Sequence, residues 1–332
     1  MPDALNPSSP PLATPGVAAT GKSGAHGGAQ ASVRRTGLAQ AFGAYALWGF
    51  LPVYFLLLAP TGPFEVVALR ILFSLIFCAV LLTATRTWGR VIAIVRQPRL
   101  LLTIAAAGVF IYVNWQVYIL AVLTGHVLEG ALGYFINPIV TVLLGVLVLR
   151  ERLRLAQWIA VGVSFVAVLV MAVAYGQFPW ISIILALSFG FYGLVKKRVG
   201  PRVDALSGLA LETAWLAPVA VVQLVIVGST AGLTIGQLGV GHALLLIGSG
   251  VCTAVPLLLF AGAARRLPLI TVGLVQYLAP LLMFVFGAFV LGEALPLGRW
   301  IGFGLVWLAL VILTVDLVVG ARTARRMPAA QV

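Results

Sequence analysis

HVLEGALGYFINPIVTVLLGVLVLRERLRLAQWIAVGV, residues 126–163, is present twice in this chain. Moved along by 142 residues, most of it falls on ITVGLVQYLAPLLMFVFGAFVLGEALPLGRWIGFGL, residues 270–305. Pro138 meets Pro280, Gly145 meets Gly287, Glu151 meets Glu293, Trp158 meets Trp300 and Gly162 meets Gly304. Between residues 138 and 162, ten of twenty-five positions are identical, where shared apolar composition alone gives roughly two or three. The chain is an internal duplication, and duplicated hydrophobic helices are a mark of membrane transporters.

The rest of the chain has the same solvent in view. It is 62% hydrophobic and 9% charged, with a mean hydropathy of +1.12, and its long apolar runs match the thickness of a bilayer rather than a soluble core. The formal net charge of +13 sits in short clusters between those runs, as membrane-flanking loops carry it, so nucleic acid is not an expected partner. The two cysteines, Cys78 and Cys252, fall inside apolar runs with no metal-ligand spacing; no disulfide framework, metal or cofactor is expected.

Ten spans are predicted: 38–58, 64–84, 100–123, 126–149, 155–175, 179–195, 205–227, 240–261, 269–291 and 297–319. The 142-residue shift carries the first five onto the last five. Five is odd, so the second copy enters the membrane with opposite orientation. The predicted fold is an all-α integral membrane protein of ten helices in two inverted five-helix repeats, 37–177 and 178–319. A disordered N-terminal tail (1–36) and a cytoplasmic C-terminal tail (320–332) flank them. With both termini placed in the cytoplasm, 19 of the 21 basic residues lie inside; Arg299 lies outside and Arg70 within the second span. That imbalance predicts a multi-pass protein of ten spans with both termini in the cytoplasm. The tail also contains Gly16-Val-Ala-Ala-Thr-Gly21-Lys22-Ser23, which fits a phosphate-loop pattern. No strand-like segment precedes it and no helix is expected to follow at once, so it reads as a chance of composition.

Polar groups at depth are the candidate chemistry, because a charge near the bilayer centre needs water or a partner. Arg70 and Glu212 are repeat equivalents. They are expected to face one cavity, paired with each other or holding the two ends of a zwitterion; the alternatives are a structural ion pair or a snorkelling arginine. Glu129, one turn from His126, is the candidate for a coupling proton, against a solvated carboxylate near the outer helix end. Asn114 and Tyr118 share a face of span 3 with Trp115 and Tyr112 nearby, and Tyr134 and Asn137 lie a turn apart in span 4. Rings and amides together suit an organic solute, or else interhelical packing. Pro52, Pro138, Pro218, Pro256 and Pro280 fall inside spans, where they act as kinks or hinges. Glu151 and Glu293 open the turns into spans 5 and 10 and are expected to answer the dipoles of those helices.

Several stretches resemble the RarD-like permeases of the EamA group, within the drug/metabolite transporter superfamily. They are Tyr45-Ala-Leu-Trp48-Gly-Phe-Leu-Pro52, Asn114-Trp115 with Tyr118, and Gly125-His126-Val-Leu-Glu129-Gly-Ala-Leu-Gly-Tyr134-Phe-Ile-Asn137-Pro138. Pro179-Trp180 with Leu187-Ser-Phe-Gly190, Ala263-Ala-Arg265-Arg266-Leu-Pro268 and Gln276-Tyr277-Leu-Ala-Pro280 complete the set. The likeness covers roughly residues 38–319; Gly130 departs from it, standing where the family often has Ser or Ala. The resemblance implies a ten-helix inner-membrane permease for small organic solutes and adds Gln276 and Tyr277 to the candidate cavity residues.

The expected activity is secondary transport, preferably export, of small organic metabolites or amphiphilic drugs by alternating access around a central cavity. A channel-like permease is the alternative. A membrane enzyme is disfavoured, since no HExxH, GxSxG or paired intramembrane aspartates occur. The expected partners are a small solute, lipid and a coupling proton at Glu129, in a monomer or homodimer.

Overall fold

The computed structural model describes residues 22–123, 127–175 and 180–289, with residue 298 and much of 300–316. Every regular element among them is helical: α1 (Lys22–Leu56), α2 (Pro63–Ala84), α3 (Trp88–Val95), α4 (Pro98–Leu123), α5 (Val127–Leu147), α6 (Leu155–Tyr175), α7 (Trp180–Val199), α8 (Ala205–Thr230), α9 (Val240–Arg266), α10 (Leu269–Val275) and α11 (Leu278–Phe289). Six of these hold segments long and apolar enough to cross a membrane, and shorter apolar stretches occur at Leu132–Leu147, Leu155–Val170, Leu269–Leu282 and Trp300–Ala309. Glu293, Arg299 and His126 lie outside the described residues.

The 142-residue shift holds in the helices themselves. It carries α2 onto the start of α8 at Ala205, α4 onto the start of α9 at Val240, and α5 onto the α10–α11 pair from Leu269 to Phe289. Packing follows the same exchange. α1 lies against α9 as α4 lies against α7; α1 lies against α11 as α7 lies against α5; and α2 meets its own equivalent, α8. Each half therefore buries its apolar faces mainly on the other half. Equivalent glycines permit the closest crossings. A Cβ on Gly108 of α4 would lie 3.4 Å from the Glu212 carbonyl oxygen of α8, and one on Gly250 of α9 would lie 2.7 Å from the Ser74 nitrogen of α2. At the second crossing the Ser74 hydroxyl donates to the Gly250 carbonyl at 2.9 Å.

Contacts at the helix ends show the directions. Gly37, at the start of the apolar part of α1, sits against Arg266 and Leu267, and Gly200, just past the end of α7, sits against Arg265. The Lys197 ammonium donates to the Leu267 carbonyl. α1 and its repeat equivalent α7 thus run in opposite directions. The end they mark is also the basic end, where Arg34, Arg152, Arg154 and Arg266 surround one cleft. At the other end the α1–α2 and α8–α9 loops meet: Thr61 bonds Thr234 at 2.7 Å, and the Glu65 carboxylate accepts from the Thr234 and Ile235 amides at 2.9 Å each.

Four expectations change. Residues 22–36, read as tail, form the first turns of α1, so a helix does begin at Lys22; residues 16–21 lie outside the described residues. The loop after span 2 holds α3, which buries Val91 and Ile94 and exposes Trp88, Ile92 and Val95. Such a short helix, apolar on its outer side and flanked by arginines, suits a membrane surface. Glu151 does not serve its own helix: its carboxylate accepts from the Leu269 and Ile270 amides at 2.8 and 2.9 Å, capping α10 of the other half. Finally, the equivalent prolines behave differently. α5 runs through Pro138, whereas the chain is interrupted at Gln276–Tyr277 before Pro280.

Candidate functional site

A cavity of about 590 Å³ lies where the two halves meet. Helical spacing puts its lining on one stripe of each helix. α1 supplies Tyr45, Trp48, Leu51 and Phe55; α2 supplies Val66 and Arg70; α4 supplies Ile111, Asn114, Trp115 and Tyr118; α5 supplies Tyr134 and Asn137. From the second half come Phe189 of α7, Thr253 and Leu257 of α9, and Gln276, Ala279 and Pro280 around the helix break. The mouth is at the end away from the basic clusters, framed by Ala59, Pro60, Thr61 and Pro63.

Among the described residues Arg70 is the charged group in this wall. Its Nε donates to the Thr253 hydroxyl at 2.8 Å, and its guanidinium carbon lies 5.0 Å from the ring centres of both Phe55 and Trp115. Each such contact contributes about 0.5–2 kcal/mol, increasing with desolvation. Together they offset part of the roughly 2.5–3.5 kcal/mol that a central charge costs on insertion scales. Among the described residues no carboxylate pairs with Arg70: the ion pairs there are Lys196–Glu212 and Arg154–Asp316.

Buried polar groups complete the wall. The Asn114 amide nitrogen bridges α4 to α7, donating to the Leu185 carbonyl at 2.9 Å and the Ser188 hydroxyl at 3.1 Å. The Thr141 hydroxyl donates to Gln276 Oε1 at 3.4 Å. Among the described residues of the lining, two that are 1% exposed carry a polar atom with no protein partner: the Tyr45 hydroxyl and Asn137 Oδ1. Orphaned buried polar atoms are expensive, and neither of these is open to the cavity space itself.

The floor is aromatic. Trp48 packs on Phe189 and Phe260 with centroids 5.6 and 5.7 Å apart, and Phe260 stacks on Tyr192 at 5.7 Å. Tyr192 and Phe260 are fully buried, so neither is reached from the cavity or from the basic end. Below them Lys196 Nζ bonds Glu212 Oε1 at 2.6 Å, and the Tyr192 hydroxyl donates to the other carboxylate oxygen at 3.3 Å.

Of the sequence-predicted residues, Arg70, Asn114, Trp115, Tyr118, Tyr134, Asn137, Gln276 and Pro280 come together in the lining. Glu212 does not: it pairs with Lys196 beneath the floor rather than with Arg70, so the expected Arg70–Glu212 partnership is replaced. Tyr112 points to another face of α4, donating to Gln223 Oε1 at 3.3 Å. Tyr277 is buried against Ser164 of α6. Pro138 and Pro256 are buried within α5 and α9, outside the lining. The side chains of Glu129 and Pro52 lie outside the described residues. Sequence reasoning missed Tyr45, Trp48, Phe55, Phe189 and Thr253. For Tyr45, Trp48 and Phe55 the signal, rings on successive turns of span 1, is the same that a lipid-facing or core stripe gives, and Phe189 and Thr253 are single residues on α7 and α9 with no such pattern.

Comparison with known proteins agrees with this architecture. The model of the EamA-like transporter family matches residues 35–173 and again 179–315. "Protein RarD" of Streptomyces exfoliatus is 50% identical over 293 residues, covering 88% of this chain and 91% of that protein. An "Uncharacterized transporter" of Vibrio cholerae serotype O1 is 40% identical over 296 residues, covering 88% of this chain and 96% of that one. A solved crystal structure superposes with a TM-score of 0.64 over 89% of this chain and 99% of its own; at 17% identity that likeness shows the fold alone. Two family matches in tandem, with RarD relatives along most of the chain, make this protein a RarD-like member of the EamA-like transporter family.

Proposed function

We propose that this protein is a secondary transporter that moves small organic solutes by alternating access through the cavity between its two halves. Ten helices in two inverted repeats, with the basic end toward the cytoplasm of an inner membrane, form the frame of this reading. In that orientation the cavity faces outward and is closed inward by the aromatic floor and the Lys196–Glu212 pair. The observation that carries the proposal is that the cavity wall is drawn from both halves at once. Relative motion of the halves then changes access without moving the solute far. Export is the preferred direction, with the solute released from the outward-open state.

Reconstituted protein tests this. Proteoliposomes preloaded with unlabelled solute should accelerate uptake of trace labelled solute, and the rate should saturate. Flux that rises linearly with concentration and shows no acceleration by internal solute is channel behaviour and contradicts the carrier.

A further inference from the structure

We propose that the cavity recognises its solute by a negatively charged group, a carboxylate docked on Arg70, with an apolar or aromatic body lying among the surrounding rings. This rests on reading the cavity as the transport site. The first support is charge. Among the described residues Arg70 is the single ionised side chain in the lining, and its electrostatic neighbours are Tyr118, Tyr134 and Cys252, groups that are ordinarily neutral near pH 7. The acid expected to balance it, Glu212, is already held by Lys196 at 2.6 Å and by Tyr192.

The second support is geometry. Thr253 holds the guanidinium at Nε, and the Phe55 and Trp115 rings pack against it. The group is thereby fixed in orientation, and no hydrogen bond to its two terminal nitrogens occurs among the described residues. A planar fork held this way matches two carboxylate oxygens. The third is the ring surface in the same wall. Tyr118 and Tyr134 pack edge to face at 5.4 Å and offer a ring surface to the solute body.

Three probes of matched shape test this on the full-length protein in nanodiscs: phenylacetate, phenylacetamide and phenethylammonium. Fluorescence of Trp48 and Trp115, both in the wall, reports occupancy. Phenylacetate should bind at least about tenfold more tightly than the amide, and the ammonium more weakly than both. Arg70→Met should bring the acid-to-amide ratio to about one while changing amide affinity less than about threefold, and Arg70→Lys should keep a reduced preference for the acid. The amide affinity shows that the variant cavity is intact; should Arg70→Met not fold, the wild-type ranking and Arg70→Lys decide. Amide or ammonium binding as tight as acid binding, no saturable acid binding at millimolar concentration, or an acid preference that survives Arg70→Met would overturn the proposal. Counterflow separates this from the carrier reading. Saturable exchange of a neutral solute with no acid preference keeps the carrier and removes the anion site. Acid-selective binding without counterflow does the opposite.

Discussion

Lys196 shows what a single side chain does when its helix ends at a membrane surface but its partner lies deeper. It stands first in Lys196-Lys197-Arg198, yet it is 4% exposed because its stem turns back along α7 to Glu212. Removing one member of such a buried pair strands the other charge, a loss of about 3–5 kcal/mol, whereas replacing both with apolar residues costs far less. Lys196→Met should therefore lower the thermal midpoint of the purified protein sharply, and Lys196→Met with Glu212→Leu should recover most of it, as followed by size-exclusion chromatography after heating. Position in the sequence supplied depth, which is why Arg70, Asn114 and Tyr134 were legible as cavity residues. Depth does not supply rotamer, so Glu212 was assigned to a repeat partner that it never touches.

Among the elements, α10 depends on a residue that is not its own. Glu151 gathers its first two amides from across the repeat, and a Cβ on the neighbouring Gly145 would come within 3.1 Å of that carboxylate. Glu151→Ala should leave those donors open at a cost of about 1–2 kcal/mol, visible as faster hydrogen–deuterium exchange in 269–275 with little change in α6; Glu151→Gln should lose less. The α2–α9 crossing is a second dependence. Gly250→Val forces apart backbones held by Ser74 and should destabilise by about 1–3 kcal/mol, while Gly62→Val, with open space around it, should be silent in the same melting assay. Helix existence was readable from apolar length, but attachments between helices were not. Glu151 near a helix start looks the same in sequence whether it serves that helix or another. α3 was lost among Arg86, Arg90 and Arg96 because eight residues carry too little periodicity to separate a surface helix from a basic loop.

At the scale of the whole molecule, the repeat made the two-copy, all-helical membrane architecture legible early, because it integrates over many residues, as the charge imbalance also does. The same imbalance gives a test of sidedness. In a Cys252→Ser background, which leaves only the buried Cys78, Thr61→Cys at the cavity mouth should react with a membrane-impermeant maleimide in intact cells. Arg202→Cys at the basic end should react only after permeabilisation; the reverse pattern would invert the orientation. Among the described residues the two copies differ at α3, whose equivalent stretch after α8 is not helical, and again around Pro138 and Pro280. Pro280 lacks the N–H that Gln276 would otherwise receive, and the Ala279 amide takes that carbonyl instead at 3.2 Å. The same deficit in α5 is absorbed without a break. For the carrier proposed above, near twins in unlike postures imply a mirror posture as the inward-open form, in which α5 gives way near Tyr134 while α10 and α11 fuse into one rod. Tyr134, Asn137 and Gln276 would then trade places relative to Arg70, and a solute released on one face of the bilayer would leave behind a binding chamber already shaped for the other.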